Sequence, residues 1–184
     1  MTGPALSADC TRCAALCCMA LAIDRSSMFD IDKPAGAACP NLDDTNKCRI
    51  HGELMEKGFG GCVRFDCLGA GQRVTQELFG GRSWRDDPSL VEPMSDAFRK
   101  MRQVHELLLL LETAADYDLS VSEREKCQEL TQILQPEAGA KTSALISGLE
   151  RSDIFEKVDM FLKGLKDRAA RPENRKSSLE VEPI

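Results

Sequence analysis

Ser95-Asp-Ala-Phe-Arg-Lys-Met-Arg-Gln-Val-His-Glu-Leu-Leu-Leu-Leu-Leu-Glu-Thr-Ala-Ala115 decides the fold class. Phe98, Met101, Val104, His105, Leu108 and Leu111 recur at three- and four-residue steps, which gathers them on one face of a helix. Ser95 is the expected N-cap, and the helix is expected to run to about Ala115. The leucine run 107–111 makes its C-terminal half apolar nearly all round, so this is the expected central buried helix.

Downstream, the chain stays helical in pattern. Ser122-Glu-Arg-Glu125 reads as a capping box that opens a helix through Leu130 and Leu134, stopped by Pro136. A weaker helix is expected over Lys141–Leu149. Ser152 is the expected cap of a last helix with Ile154, Phe155, Val158, Phe161, Leu162 and Leu165 on one face. From Arg171 the tail is polar and proline-containing, with a composition expected to be disordered.

Upstream, composition changes near Arg82–Pro93. The stretch Arg85-Asp-Asp-Pro-Ser-Leu-Val-Glu-Pro93 reads as a connection. Before it lie eight of the nine cysteines, as Cys10-x2-Cys13-x3-Cys17-Cys18, Cys39, Cys48 and Cys62-x4-Cys67. The expected organisation is a cysteine-rich module over 1–82, a connection over 83–93, a helical bundle over 94–170 and a tail over 171–184. The fold class is therefore mainly α, with a small, irregular, metal-stabilised module packed on a helical bundle.

Dense cysteine has two explanations, a metal site or a disulfide framework. The apolar stretch Ala14–Ile23 follows Asp9, has only Arg12 for positive charge and itself contains two cysteines, so it is a poor secretory signal. No run approaches the roughly 18 apolar residues of a membrane span. These features point to a cytoplasmic chain, where clustered thiols bind metal more often than they pair. An odd cysteine total also suits complete pairing poorly. Thiolate is the soft ligand preferred by zinc and by iron–sulfur clusters.

All eight cysteines of the front third are candidate metal ligands: Cys10 and Cys13 as a knuckle, Cys62 and Cys67 as a looser pair, and Cys39 and Cys48 in loop-like sequence. Cys17 and Cys18 are harder to place. Thr11–Ile23 is alanine-rich and could be helical. Adjacent residues on a helix point about 100° apart, so the two would serve neighbouring centres, or one would be buried as core. Cys127, alone inside a later helix, reads as core. His51 follows Cys48 at a ligand-like spacing, but packing or support of a ligand is the favoured role. For His105 the favoured role is a core histidine, with contact to the cysteine-rich half as the alternative.

Other chemistry finds little support. Gly69-Ala-Gly71-Gln-Arg-Val lacks the preceding strand and third glycine of a dinucleotide loop, and no Gly-Lys-Ser/Thr motif occurs. Hydrolytic zinc usually keeps histidines and an open position, and the chain has two histidines. A net charge of −6 argues against a nucleic-acid surface.

The pieces Cys10-Thr-Arg-Cys13-Ala-Ala-Leu-Cys17-Cys18, Cys39-Pro-Asn-Leu42, Cys48-Arg-Ile-His51 and Cys62-Val-Arg-Phe-Asp-Cys67 resemble, in order, the signature of the bacterial zinc- or iron-chelating cysteine-cluster proteins. The position of His51 is often tyrosine there, which speaks against an obligatory ligand. A closer similarity is to the head region of some bacterial pentapeptide-repeat proteins. It is carried by Asp32-Lys-Pro-Ala-Gly36, Gly58-Phe-Gly-Gly-Cys62, Asp66-Cys-Leu-Gly-Ala-Gly-Gln72, Phe79-Gly-Gly-Arg-Ser-Trp84 and Met101-Arg-Gln-Val-His-Glu-Leu107. No five-residue repeats follow here. The resemblance implies metal chelation; zinc is favoured because no redox partner domain or flavin motif is visible, with iron or an iron–sulfur cluster as the alternative.

The expectation is a monomeric, non-enzymatic metal-binding module that binds another protein, with no nucleic acid and no membrane. The alternative is an iron–sulfur redox protein or a component of a protein-modifying enzyme, since some cysteine-cluster relatives are linked to protein lysine methylation.

Overall fold

The long helix starts earlier than its sequence pattern suggests. In the computed structural model, which describes residues 6–135, 146, 148 and 153–170, the Asp87 carboxylate accepts from Ser89 N at 3.0 Å and caps a 3-10 turn over Pro88–Leu90. That turn runs straight into the helix Val91–Ala115, α4. Pro93 is tolerated because it falls in the first turn, where a backbone N–H has no helical partner. Ser95 is thus not the N-cap. It is buried inside the helix, its hydroxyl donating to Val91 O at 2.6 Å and lying 3.2 Å from Met19 Sδ.

The other α-helices among the described residues are α1 (Leu16–Ala20), α2 (Gly60–Arg64), α3 (Ala70–Arg73, continued by a π turn over Val74–Leu78), α5 (Val121–Leu134) and α6 (Ile154–Ala170). No strand forms among the described residues; three isolated bridges, Ile23 with Lys33, Ser26 with Phe29 and Leu42 with Cys48, pin the loops. The protein is mainly α, as its periodicity predicts.

Helix α4 is the axis of the molecule. Met94, Phe98, Met101, Val104, Leu108 and Leu111 are fully buried, and α1, α3, α5 and α6 pack around them. Leu109 and Leu110 remain 41% and 48% exposed, so the leucine run is not buried all round as its composition suggests. Leu16 and Met19 of α1 supply the cover from the N-terminal side, and both are completely buried in the same core as Leu130, Leu134, Ile154 and Val158. The turn at Phe59 does not share this role: Phe59 is buried against Phe29, edge to face, with ring centroids 6.4 Å apart.

Two boundaries move. The capping box of α5 is Ser120–Glu123 rather than Ser122–Glu125: Ser120 Oγ accepts from Glu123 N at 3.3 Å and Glu123 Oε2 accepts from Ser120 N at 2.8 Å. Within Thr11–Ile23 only α1 is helical, because Ala15 takes a left-handed conformation (φ 52°) that separates it from the 3-10 turn Cys10–Arg12. The expected helix over 141–149, the cap at Ser152 and the tail from Arg171 lie outside the described residues, apart from positions 146 and 148, which are helical.

The stretch 83–93 does more than connect. Trp84 Nε1 donates to Ala14 O at 2.7 Å, and Arg85 donates to Asn46 Oδ1 and Asp43 O, each at 2.8 Å. These bonds clamp the cysteine-rich loops to the chain just ahead of α4.

Candidate metal centre

All eight cysteines of the front third line one cavity of about 830 Å³, together with apolar groups including Ile23, Phe29, Leu42 and Phe59. They reach it from separate segments. Cys10 opens the 3-10 turn and Cys13 follows it, with Asp9 as the cap accepting from Thr11 N at 3.0 Å. Cys17 and Cys18 lie on α1. Cys39 and Cys48 flank the loop pinned by the Leu42–Cys48 bridge. Cys62 sits in α2, and Cys67 precedes the tight turn into α3.

Close backbone approach makes this crowding possible. Gly71 lies under Cys13: a Cβ there would stand 2.6 Å from the Cys13 sulfur. At Gly61 a Cβ would come within 2.1 Å of the Phe29 ring. Only glycine leaves room at such places. The glycines flanking Cys62 and Cys67 therefore have a steric reason.

Cys127 belongs elsewhere. It is buried in α5 with its sulfur 3.5 Å from Leu111 O, as its helical context predicts. His51 is exposed at the cavity edge, at the start of a 3-10 turn. His105 is buried on α4, with Nδ1 donating to Leu68 O at 2.5 Å and Nε2 accepting from Arg73 Nη1 at 3.2 Å. Leu68 directly follows Cys67, so the histidine is both a core residue and a tie to the cysteine-rich half.

No disulfide joins any of the nine cysteines. Burial pushes the Cys13 thiol up to about 11, with the nearby Cys17 and Cys67 adding to the shift. Burial likewise raises Cys62 to about 11, helped by Cys17, Cys39 and Cys48, and raises Cys10 beside Cys17 and Cys67. Cys17 is raised by its contact with Cys18, sulfur to sulfur 3.9 Å, and by burial. Thiols held neutral in this way are poor nucleophiles at pH 7. A bound cation would reverse the balance by compensating several thiolates at once.

Lys33 has no role in the sequence reading, although it lies within the quoted Asp32-Lys-Pro-Ala-Gly36. It is 5% exposed, and its ammonium donates to four backbone carbonyls: Leu21 at 2.5 Å, Ala37 at 2.8 Å, Pro34 at 3.0 Å and Met19 at 3.4 Å. It therefore stitches the end of α1 to the loop that precedes Cys39. Burial lowers its pKa, opposed by the neighbouring Cys39, Cys18 and Cys17. Only its packing partners reveal this role, because lysine in a loop normally reads as solvated.

The sulfurs ring the cavity rather than meet at a point. Among the described residues, no three His, Cys, Asp or Glu side chains are gathered closely enough to hold a single metal ion. Among the described residues, no helix is long and apolar enough to cross a membrane.

The chain is similar to YybG, an uncharacterised protein of Bacillus subtilis (strain 168), with 44% identity over 115 residues. The match covers 62% of this chain and 41% of the relative, so the chain spans about two fifths of the length of the curated relative it matches. No family model matches the chain, and no solved structure is significantly similar to it.

Proposed function

We propose that the chain is a non-enzymatic metal-binding protein of the bacterial cysteine-cluster kind, with the eight cysteines of residues 10–67 as its ligands. The observation that carries this reading is their arrangement around one cavity while Cys127 is buried alone in the helical core. Side chains drawn from loops and short helices have no reason to share a cavity by packing alone. Their chemistry fits a soft cation, and the raised pKa values of Cys10, Cys13, Cys17 and Cys62 argue against a nucleophilic role for those four.

The Cys17 and Cys18 sulfurs lie 3.9 Å apart, and thiolate-only ligation of this kind fits zinc, with iron or an iron–sulfur cluster as the alternative. Tetrahedral zinc holds its sulfurs at about 2.3 Å, which brings each pair to about 3.8 Å. The Cys17 and Cys18 sulfurs meet that spacing, but no third donor is gathered with them among the described residues. An iron–sulfur cluster accepts thiolates set wider apart and would supply electron transfer. Zinc is the favoured metal, because no redox partner domain or flavin motif is visible in the sequence. We also propose that the chain binds another protein, and that it works in the cytoplasm, where thiols stay reduced and free to hold metal.

The test is anaerobic purification followed by metal analysis and a visible spectrum. Broad visible absorption bleached by dithionite, with stoichiometric iron, supports the cluster; a colourless protein with stoichiometric zinc supports closed zinc sites. A fully folded chain that carries no metal and takes none up would overturn the reading.

A further inference from the structure

Cys17 and Cys18 stand apart from the other thiols of the cavity. Successive positions on a helix point about 100° apart, yet these two sulfurs converge to 3.9 Å. Their backbone is fixed from both ends. Leu16 and Met19, which flank the pair, are completely buried in the helical core. Cys18 N donates to Ala15 O at 3.0 Å, and Cys18 O accepts from Cys39 N at 3.0 Å. Both thiols are half-buried and line the cavity. A ligand entering it finds the two sulfurs already placed, which spares the cost of ordering them.

Spacing and surroundings narrow the ligand. Two bonds of about 2.3 Å, the length of a soft metal–sulfur bond, span 3.9 Å at an angle of about 116°. One atom can therefore bridge the pair while α1 stays in place. No third His, Cys, Asp or Glu side chain among the described residues is gathered closely enough to share that atom. An atom that takes these two sulfurs must bring its remaining substituent with it. The other walls include Ile23, Phe29, Leu42, Leu54 and Phe59, around a cavity of about 830 Å³, ample for an aromatic ring. Apolar walls favour a ligand that brings no net charge.

We propose that Cys17 and Cys18 form a dithiol site for arsenic(III) that carries one organic group, with that group seated in the apolar cavity. Such an arsenical, R–As(OH)2, exchanges its two hydroxyls for the two sulfurs. Two S–H and two As–O bonds break, two As–S and two O–H bonds form, and two waters leave. Arsenic stays trivalent, no electron is transferred, and the bound product is neutral. The exchange is an equilibrium rather than a turnover, and the thiol protons depart on the leaving hydroxyls. A divalent cation at the same place would need thiolates and would bury charge. Arsenite, with three exchangeable hydroxyls, would want a third thiol that is not gathered there. The site needs only the pair, so it stands or falls separately from the metal-binding reading.

The test treats the full chain, kept reduced with a phosphine, with phenylarsine oxide, methylarsonous acid or arsenite. Intact mass and released metal are read together, on the chain as isolated and again after chelation. One phenyl-arsenic adduct per chain is expected, kept in Cys127→Ser and lost in Cys17→Ser and in Cys18→Ser. Competition with a small free dithiol should rank the phenyl compound about tenfold or more above the methyl one, because its ring is buried. Arsenite should rank last. An adduct that survives Cys17→Ser or Cys18→Ser, equal affinity of phenyl and methyl, or tighter binding of arsenite overturns the proposal. So does the absence of an adduct in both arms. Circular dichroism and the fluorescence of Trp84 report whether each variant folds. Where one does not, tandem mass spectrometry of the wild-type adduct decides: arsenic bridging Cys17 and Cys18 supports the site, and arsenic on any other sulfurs overturns it. A chain that forms the adduct but never holds metal removes only the metal-binding reading.

Discussion

His105, midway along the longest helix, donates to the carbonyl of Leu68, the residue that follows Cys67. Leu68 has a positive φ of 51°, and its own N–H donates to the Asp66 carboxylate at 2.7 Å, so the turn beyond Cys67 is held from both sides. With Nδ1 donating to a carbonyl and Nε2 accepting from Arg73, the imidazole is neutral. Burial lowers its pKa below the ordinary 6.5. Protonation therefore opposes folding: the histidine's contribution is complete above about pH 6.5 and is lost as pH falls through the lowered folded value. Urea denaturation at pH 7.5 and 5.5 should show a stability loss on acidification that His105→Leu abolishes. The same variant should lose about 1–3 kcal/mol at pH 7.5, where the native imidazole satisfies both partners.

Lys33 makes a separate prediction. Lys33→Met keeps the apolar stem but leaves the carbonyls of Leu21, Ala37 and Pro34 without their shared donor. A loss of about 2–3 kcal/mol is expected, since unmet buried acceptors carry the full desolvation penalty. Metal retention should fall with it, because the loop leading to Cys39 loses its tie to α1. Equal stability of the variant and wild type by thermal denaturation would contradict the caging role.

The helical half was legible because its signals are local. Phe98, Met101, Val104, Leu108 and Leu111 point inward as their spacing predicts, and Leu130, Leu134, Ile154 and Val158 meet them. The misreadings were also local. Ser95 looks like a cap, but the Asp87 turn upstream caps the chain first, and Ser120 reaches Glu123 before Ser122 can act. At the cysteines, residue type named the candidates while tertiary contacts alone grouped them. The Cys39–Cys18 pairing and the Cys13–Gly71 approach join residues far apart in sequence, with no period to betray them.

Gly71 offers a steric test of the cavity wall. An added methyl would stand 2.6 Å from the Cys13 sulfur, so Gly71→Ala must push that sulfur away. Crowding of this kind costs about 1–3 kcal/mol. Metal held by the cysteines as proposed should become more accessible to chelator, with the helical signal unchanged. Gly52→Ala, where an added Cβ meets nothing within 4 Å, is the matched control and should behave as wild type.

The leucine run separates burial from composition. Leu108 is fully buried in the hydrophobic core, while Leu110, two residues on, is 48% exposed. Leu108→Asp should cost at least about 3 kcal/mol, because a carboxylate placed there has no partner and little water. Since α1 carries Cys17 and Cys18 and packs on α4, the same variant should also release metal. Leu110→Asp faces solvent and should change stability by no more than about 0.5 kcal/mol. Thermal denaturation, metal analysis and analytical ultracentrifugation of both variants check this. If Leu110→Asp proved as damaging as Leu108→Asp, or turned a dimer into a monomer, the outer leucines would form an interface between chains. The expectation of a monomer would then be wrong.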